Sequence, residues 1–437
     1  MTGGHKFATQ PPGSQDIMTS DSEIGDKVDN KNAQVRRNKN TDVYGNRYDS
    51  RSGYWGQYDK AVKQFKKDMS SWLDFEHCLL ELELMNRDKL GRPFEYPPST
   101  ILFLAMHKEA TDQSYRDLVG AMEDTLSALN LPTPSYKTIQ RNKDRFFGPG
   151  GRGMEFIMEA DRLLGGKSVD FDPAMFMNSN ICPEYSAPRK IPVCGADVIE
   201  QANKDAKAAE IRRSMAVMVN REYVGKEAEC ALDGSGMGTK GNGIYIELIW
   251  SLNERNFIKQ HVLLDVQTQK VVSFSITPEA PGDARVMPSI VKGTLRMGVG
   301  LTRLLADGAY DTVSNWMLTD EIGLDFNPNL NGKFKKDMEL ATRHSLRMAE
   351  EALGKERHHR ISGYNMRWLV ESFFSAIKRL YGERVKGRLF RMMAISMMIR
   401  YTLYNIRRDY ILRYVDKHRR LDECLIALGR QEVTADL

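Results

Sequence analysis

The sequence has few cysteines and no segment that marks export or membrane insertion. Its 437 residues include five cysteines, and none of them forms a Cys-x-x-Cys pair. No signal peptide precedes them, so reduced thiols in a cytoplasmic protein are expected. The apolar stretch 392–399 has eight residues between two arginines, which is far too short to span a bilayer. A zinc site on Cys182 and Cys194 is not expected, because a second pair of ligands is missing and His358 and His359 are expected to face solvent.

One segment matches the residue pattern of a nucleotide-binding motif but lacks the helix that should follow it. The segment Gly236-Met-Gly238-Thr-Lys-Gly241 satisfies Gly-x-Gly-x-x-Gly. The residues that follow, 243–250, are strand-like, so no helix N-terminus is available for a pyrophosphate. Lys240 is followed by glycine and not by Ser or Thr, which also argues against a P-loop. We therefore expect no nucleotide cofactor.

Composition divides the N-terminal part of the chain into three segments. With 41% hydrophobic residues and a net charge of +5, the chain is long enough for two or three domains and is mildly basic. Residues 1–53 are poor in apolar side chains and predict a disordered tail. Helical periodicity over residues 54–150 predicts an all-helical domain, and residues 151–225 predict a linker with a helical connection.

The last helix of the all-helical domain is rich in cations. Ser135 is its predicted N-cap, and residues 132–134 form a proline-bearing turn before it. A short helix, such a turn and a cationic second helix suit a helix-turn-helix in the major groove of DNA. A solvated charged helix is an equally open alternative. The candidate DNA-binding residues are Lys137, Gln140 and Arg141.

Residues 226–410 predict an α/β domain with a mixed sheet, which makes the chain α+β overall. Four runs rich in β-branched and apolar residues predict strands: 228–233, 244–250, 258–265 and 270–276. A helix with Asp283 as its N-cap should follow. Asp233 is expected at the end of the first strand, before a glycine turn, and Asp307 at the end of a further strand. Taken alone, either aspartate is more often a turn former or a cap than a ligand.

The most informative stretch is 364–378. Tyr364, Arg367, Glu371 and Lys378 stand at i, i+3, i+7 and i+14, so on an α-helix they share one face. The carboxylate on that face can bind a metal ion, while the cations offset phosphate charge. A solvated amphipathic face is the alternative.

This spacing resembles the signature around the last acidic residue of the DDE transposases of prokaryotic insertion sequences, of the kind grouped in families four and five. A chance match of four residue types at fixed spacing is expected in well under about one chain in a hundred. The string Ala306-Asp-Gly-Ala-Tyr-Asp311 is also close to the family's pattern around its second aspartate. The resemblance implies a ribonuclease-H-like catalytic domain preceded by an all-helical DNA-binding domain.

The resemblance also implies a catalytic and metal-binding triad of Asp233, Asp307 and Glu371. In-line cleavage of a phosphodiester builds charge on the attacking and leaving oxygens, and two divalent ions can stabilise both. Asp233 would bridge the two ions, with Asp307 on one and Glu371 on the other. Mg²⁺ is the expected ion, and Mn²⁺ should substitute for it.

Four residues of the signature region are assigned to DNA by the same resemblance. Tyr364 and Arg367 would contact backbone phosphates at the transposon end, and Lys378 would hold the neighbouring DNA. Trp368 matches an aromatic residue that fills the space left by a flipped base. From its position one step off the polar face, however, Trp368 is more often a core residue.

The expected function is transposition of DNA by a cytoplasmic, prokaryotic homodimer that cuts at terminal inverted repeats and joins the ends to target DNA. A catalytically inactive or repurposed DNA-binding protein and a nuclease without strand transfer are the alternatives. The polar segment 327–363 predicts an insertion near the DNA. Residues 378–420 hold thirteen Lys or Arg against three acids, which suits a DNA track. Residues 411–437 predict a basic C-terminal helix or tail.

Overall fold

The computed structural model describes residues 54–69, 71–148, 151–165, 176–178, 217–239, 257–278, 282–332, 334, 340–387 and 390–435. The chain has two compact units, Met1–Trp55 and Gly56–Leu437, and the features below belong to the second unit apart from the first two residues of the first helix. The predicted tail 1–53, most of the predicted linker and the predicted strand 244–250 lie outside the described residues.

The N-terminal region is helical, as predicted. Its helices are α1 (Tyr54–Met69), α2 (Phe75–Asn86), α3 (Pro98–Thr111), α4 (Tyr115–Ala128), α5 (Tyr136–Phe147) and α6 (Gly153–Leu163). The predicted N-cap of α5 is confirmed, because the Ser135 side chain accepts a hydrogen bond from the backbone N–H of Thr138. Helix α3 is buried on almost every side, and its buried residues include the polar side chains His107, Lys108 and Glu109.

A mixed sheet forms the second part of the molecule, and its eight described strands confirm that prediction. They are β1 (Phe176–Asn178), β2 (Met218–Asn220), β3 (Glu227–Thr239), β4 (Phe257–Asp265), β5 (Val271–Pro278), β6 (Gly300–Ala306), β7 (Asp325–Pro328) and β8 (Arg384–Val385). The spatial order is β1-β2-β5-β4-β3-β6-β7, and β8 pairs with β3. Strands β3, β4 and β5 are antiparallel neighbours, whereas β6 and β7 run parallel to β3.

The helices of the second part are α7 (Asp283–Arg296), α8 (Val313–Ile322), α9 (Ala341–Leu353), α10 (Lys355–Ile361), α11 (Trp368–Tyr381) and α12 (Phe390–Ala435). The chain order of three strands, α7, β6 and finally α11 with the third acidic residue is the order expected of a ribonuclease-H-like domain. The segment predicted as an insertion begins within β7 and contains α9 and α10.

The two faces of the sheet bury different cores. Along β3, Ala231 and Met237 belong to the core that includes α11 and α12, whereas Cys230 and Leu232 belong to the core that includes α7 and α8. This alternation follows from the two-residue period of a strand. The α11 core also contains residues of α1, α3, α5 and α6, so the helical region and this face of the sheet share one core.

Strand β3 corrects one prediction. It does not end at Asp233 but continues to Thr239, so Asp233 lies within the strand and no glycine turn follows it. A Cβ at Gly234 would lie 2.4 Å from the Asp283 carboxylate Oδ1. Glycine stands there because another chain segment approaches closely.

The apolar stretch 392–399 lies in α12, with Met393, Ile395, Met397 and Ile399 buried in the core. Among the described residues, no helix is long and apolar enough to cross a membrane. Cys78 and Cys230 are free thiols and are buried.

A buried ionic cluster joins the helical region to α12. The Glu109 carboxylate accepts from Lys108 Nζ at 2.8 Å and from Arg400 Nε at 2.8 Å. Arg400 also donates to the backbone carbonyls of Gly382 and Arg384, just beyond α11. Lys143, which the sequence places on the cationic helix α5, is buried here and donates to Ser396 Oγ at 3.1 Å.

The cluster holds three cations around one carboxylate. Burial by itself would raise the pKa of Glu109, but Lys108, Arg400 and Lys143 overcome that effect and lower it to about 2. Burial lowers the pKa of Lys143, despite its attraction to Glu109. Glu109 is therefore the anion on which the charge state of the whole cluster depends.

We predict that Glu109→Gln lowers the free energy of unfolding by about 3 to 5 kcal/mol, because three buried cations lose their counter-ion. The stabilisation from Glu109 is present above its ordinary pKa of 4.5 and is lost as the pH falls towards 2. Urea unfolding at neutral pH measures the change. Glu155→Gln, which removes an exposed partner of Arg152, is the matched control and should cost less than about 1 kcal/mol. Equal effects of the two variants would contradict the prediction.

Candidate active site

The three predicted acidic residues come from three elements that meet at β3. Asp233 lies within β3, and Asp307 directly follows β6. These strands pair in parallel with Leu232 opposite Ala306, which makes Asp233 and Asp307 neighbours at the next position. Glu371 lies in the first turn of α11, which packs on the same face of the sheet.

Arg367 connects the first and third acidic residues. Its guanidinium donates to Glu371 Oε1 at 2.5 Å and lies 3.6 Å from Asp233 Oδ2. One cation in contact with both carboxylates requires the two side chains to converge. The structure thus brings Asp233, Asp307 and Glu371 to one place.

Backbone amides orient the two aspartates. Asp233 Oδ1 accepts from the N–H of Gly234 at 2.8 Å, and Asp307 Oδ1 accepts from the N–H of Gly308 at 2.6 Å. The second bond also caps the 3₁₀ turn Gly308–Tyr310. Each carboxylate is thus fixed through its Oδ1 atom, and the other oxygen of Asp233 is the one that lies near Arg367.

The site carries an excess of negative charge at Asp233. Burial raises the pKa of Asp233 to about 6, and the charges of Asp307 and Asp283 act in the same direction. The Gly234 amide and Arg367 lower it but do not compensate fully. Hard carboxylate oxygens with too little positive charge near them are suitable ligands for a divalent cation such as Mg²⁺. Asp233, Asp307 and Glu371 fit that role.

The signature residues do not lie on a single α-helix. Tyr364–Arg367 is a 3₁₀ turn, and α11 begins at Trp368. The turn nevertheless continues into α11, because Arg367 has helical backbone angles. Arg367 therefore lies one helical turn before Glu371 and on the same side of α11. Lys378 Nζ donates to the hydroxyl of Ser235, two residues beyond Asp233, at 3.2 Å.

The remaining DNA-binding candidates are all exposed but lie on two different helices. Trp368 is 48% exposed, so its interpretation as a core residue is wrong. Lys137, Gln140 and Arg141 are exposed on α5, an element separate from the triad.

Sequence reasoning missed the role of Asp311. This buried carboxylate binds Arg343 of α9 through both oxygens, at 2.9 and 2.8 Å. It also accepts from Trp316 Nε1 at 2.8 Å and from the N–H of Asn331 at 2.7 Å. Asp311 therefore fixes the predicted insertion to the segment that follows Asp307. Its place in the Ala-Asp-Gly-Ala-Tyr-Asp string was the available signal.

Asp283 is also placed differently from the prediction. Gly282 is the N-cap of α7, and Asp283 is the first helical residue without a side-chain cap bond. Its Oδ1 lies 2.8 Å from Lys259 Nζ and 3.3 Å from His261 Nδ1. It approaches β3 at Gly234, from the face opposite Asp233. Asp283 therefore pairs with β4 and adds negative charge behind the triad.

We predict that Asp233→Asn stabilises the metal-free protein at neutral pH. The ordinary pKa of 3.8 rises to about 6 on folding, so ionised Asp233 costs up to about 3 kcal/mol. The cost develops between about pH 4 and pH 6 and is complete at neutral pH. Urea unfolding with a chelator should show a more stable variant at pH 7.5 and equal stabilities below pH 4. Asp59→Asn, at an exposed position of α1, is the control, and a variant less stable than the wild type at pH 7.5 would contradict the argument.

Comparisons with known proteins give one family match over part of the chain. No curated protein matches the chain. Among solved structures, the chain is similar to the piggyBac transposase in a cryo-EM synaptic complex with hairpin DNA, with 8% identity, 81% of this chain and 79% of that chain covered, and a TM-score of 0.34. Residues 225–406, which include Asp233, Asp307 and Glu371, match the family model described as Transposase DDE domain.

Proposed function

We propose that the protein is a DNA transposase that cleaves the ends of an insertion sequence and joins them to target DNA. The observation that carries the proposal is the convergence of Asp233 and Glu371 on Arg367, with Asp307 beside Asp233 on the neighbouring strand, inside the segment that matches transposase DDE domains. Double-stranded DNA in the cytoplasm of a prokaryote, as inverted repeats and as target, is the proposed substrate. Membership of the family-four or family-five type is part of the proposal.

The triad would hold the divalent cations of the reaction. Asp233, between the other two carboxylates, is the residue suited to contact both ions. Bound Mg²⁺, or Mn²⁺ in its place, would stabilise the charge on the attacking and leaving oxygens. Asp233 and Asp307 are held by backbone amides, so their free oxygens are oriented before any ion arrives.

Cations around the triad supply the proposed contacts to DNA. Arg367 lies between two carboxylates, and its planar guanidinium can bind a phosphate through two donors. Lys378 lies beside β3 at Ser235, where it can hold a second phosphate. Tyr364 belongs to the same turn as Arg367, and the exposed ring of Trp368 is free to stack on a base.

The helical region would recognise the inverted repeats. Lys137, Gln140 and Arg141 project from α5 into solvent, and two ends must be brought together for joining. A homodimer, with one protomer per end, is the assembly that we propose. The shared core between the helices and the α11 face would keep end binding and cleavage in fixed register.

Two other functions differ from this one in measurable ways. A nuclease would cut DNA but would not join ends, and a repurposed DNA-binding protein would bind without cutting. The intact triad and its charge excess favour a catalytic protein over the second.

We predict that Glu371→Gln reduces metal-dependent cleavage of DNA carrying the element's ends by at least about a hundredfold, or about 3 kcal/mol. The variant keeps the size of the side chain and removes its charge. Incubation of labelled DNA with Mg²⁺ or Mn²⁺ measures nicking and end joining together. Glu383→Gln, at an exposed glutamate just after α11, is the control. Cleavage by the Glu371→Gln variant at the wild-type rate would refute the triad, and cleavage without joining would indicate a nuclease.

We predict that Arg141→Ala weakens binding of the inverted repeat while leaving the stability of the protein unchanged, because Arg141 is exposed. The slope of binding against salt concentration should fall by about one if the residue contacts a phosphate, and discrimination between end and random DNA should fall if it contacts a base. Fluorescence anisotropy at several salt concentrations measures both. Lys60→Ala removes an exposed cation of α1 as the control. Identical affinities of the two variants would remove α5 from the DNA interface.

A further inference from the structure

Three potential metal ligands meet in the predicted insertion, apart from the triad. A ligand atom of Glu350, one of His358 and one of His359 lie within 4.8 Å of one another. Glu350 belongs to α9, and the two histidines belong to α10. Gly354 joins the helices with φ +76, a conformation that glycine adopts without strain. This corner folds α10 back towards Glu350.

His358 has an unsatisfied atom. Its side chain is 6% exposed, and its buried Nδ1 meets no hydrogen-bond partner among the residues that the structure describes. A buried polar nitrogen without a partner is costly, and a bound ion is one of the arrangements that remove the cost. The interpretation of His358 as a solvent-facing residue is therefore wrong.

His359 links this cluster to the candidate active site. Its ring lies on that of Tyr364, with centroids 4.3 Å apart and planes inclined by 40°. Tyr364 begins the 3₁₀ turn that ends at Arg367, the residue in contact with Asp233 and Glu371. An ion that fixed His359 would therefore restrain the turn that carries Arg367.

We propose that Glu350, His358 and His359 form a binding site for a divalent transition-metal ion of the zinc type, which fastens α9 to α10. Two imidazoles and one carboxylate suit Zn²⁺ and leave its fourth position to water, whereas Mg²⁺ prefers oxygen ligands alone. Zinc bonds of 2.0–2.1 Å bring tetrahedral ligand atoms about 3.3 Å apart. Small side-chain rotations would bring the three ligand atoms from their present separations, within 4.8 Å, to this distance.

Titration with Co²⁺ tests the site independently of the proposed function. The protein is the full chain without a histidine tag, with Asp233→Asn and Glu371→Gln introduced so that the triad cannot bind the ion. One equivalent of Co²⁺ should produce visible absorption bands of nitrogen coordination, and Zn²⁺ should displace it where excess Mg²⁺ does not. Hydrogen exchange of residues 364–367 should slow on addition of Zn²⁺.

Glu350→Gln and His359→Gln, added separately, should each weaken the binding of Co²⁺ by more than about tenfold. Both side chains are half-buried, and circular dichroism checks that the variants fold. His344→Gln, at an exposed histidine of α9, is the matched control and should bind as tightly as its parent. Absence of Co²⁺ binding, or equal affinities in all three variants, would overturn the site.

Discussion

The candidate active site depends on β3, an inner strand of the sheet. Strand β3 pairs with β4 on one side and with β6 and β8 on the other, so its register is fixed along nearly its whole length. Its alternation sends Cys230 and Leu232 into one core and Ala231 into the other. Asp233, two residues after Ala231, points to the same side as Ala231 and faces α11. A shift of one residue would exchange the faces and move Asp233 away from Arg367.

A buried carboxylate, Glu109, and a half-buried one, Asp233, show how surroundings decide the cost of a charge. Burial opposes ionisation of both Glu109 and Asp233. At Glu109 three cations overcome burial, and the pKa falls to about 2. At Asp233 neighbouring acids add to burial, and the pKa rises to about 6. The first arrangement holds the helical region on α12, and the second leaves an excess of negative charge beside Arg367.

The predicted insertion is tied to the site at two positions. Asp311, four residues after Asp307, holds Arg343 of α9 through both carboxylate oxygens. At the other end of the segment, His359 of α10 lies on Tyr364. These contacts start in elements that also carry candidate catalytic or DNA-binding residues. The segment is thus positioned to influence the geometry of the site, which is a role that its polar composition alone did not indicate.

Local sequence was sufficient wherever short-range pattern decides the structure. The strand and helix order and the N-cap at Ser135 could be inferred from periodicity and local pattern, and two strand predictions, 258–265 and 270–276, agree with β4 and β5 to within two residues. The three acidic residues were predicted from the resemblance of their surroundings to a transposase family. The end of β3 was predicted wrongly because glycines after an aspartate usually mark a turn. Here glycine is needed at position 234 because Asp283, from a distant part of the chain, lies too close to allow a Cβ.

By itself the sequence therefore determined which residue types are present and in what order, because spacing along a helix or strand is a local property. Only the tertiary structure decided that Lys143 is buried, that Trp368 is exposed and that Asp311 holds Arg343. It also decided that Glu350, His358 and His359 meet around the Gly354 corner. Each of these outcomes depends on which distant segments pack against one another. That packing, and not the neighbours in sequence, sets the burial of a side chain, its counter-ions and its pKa.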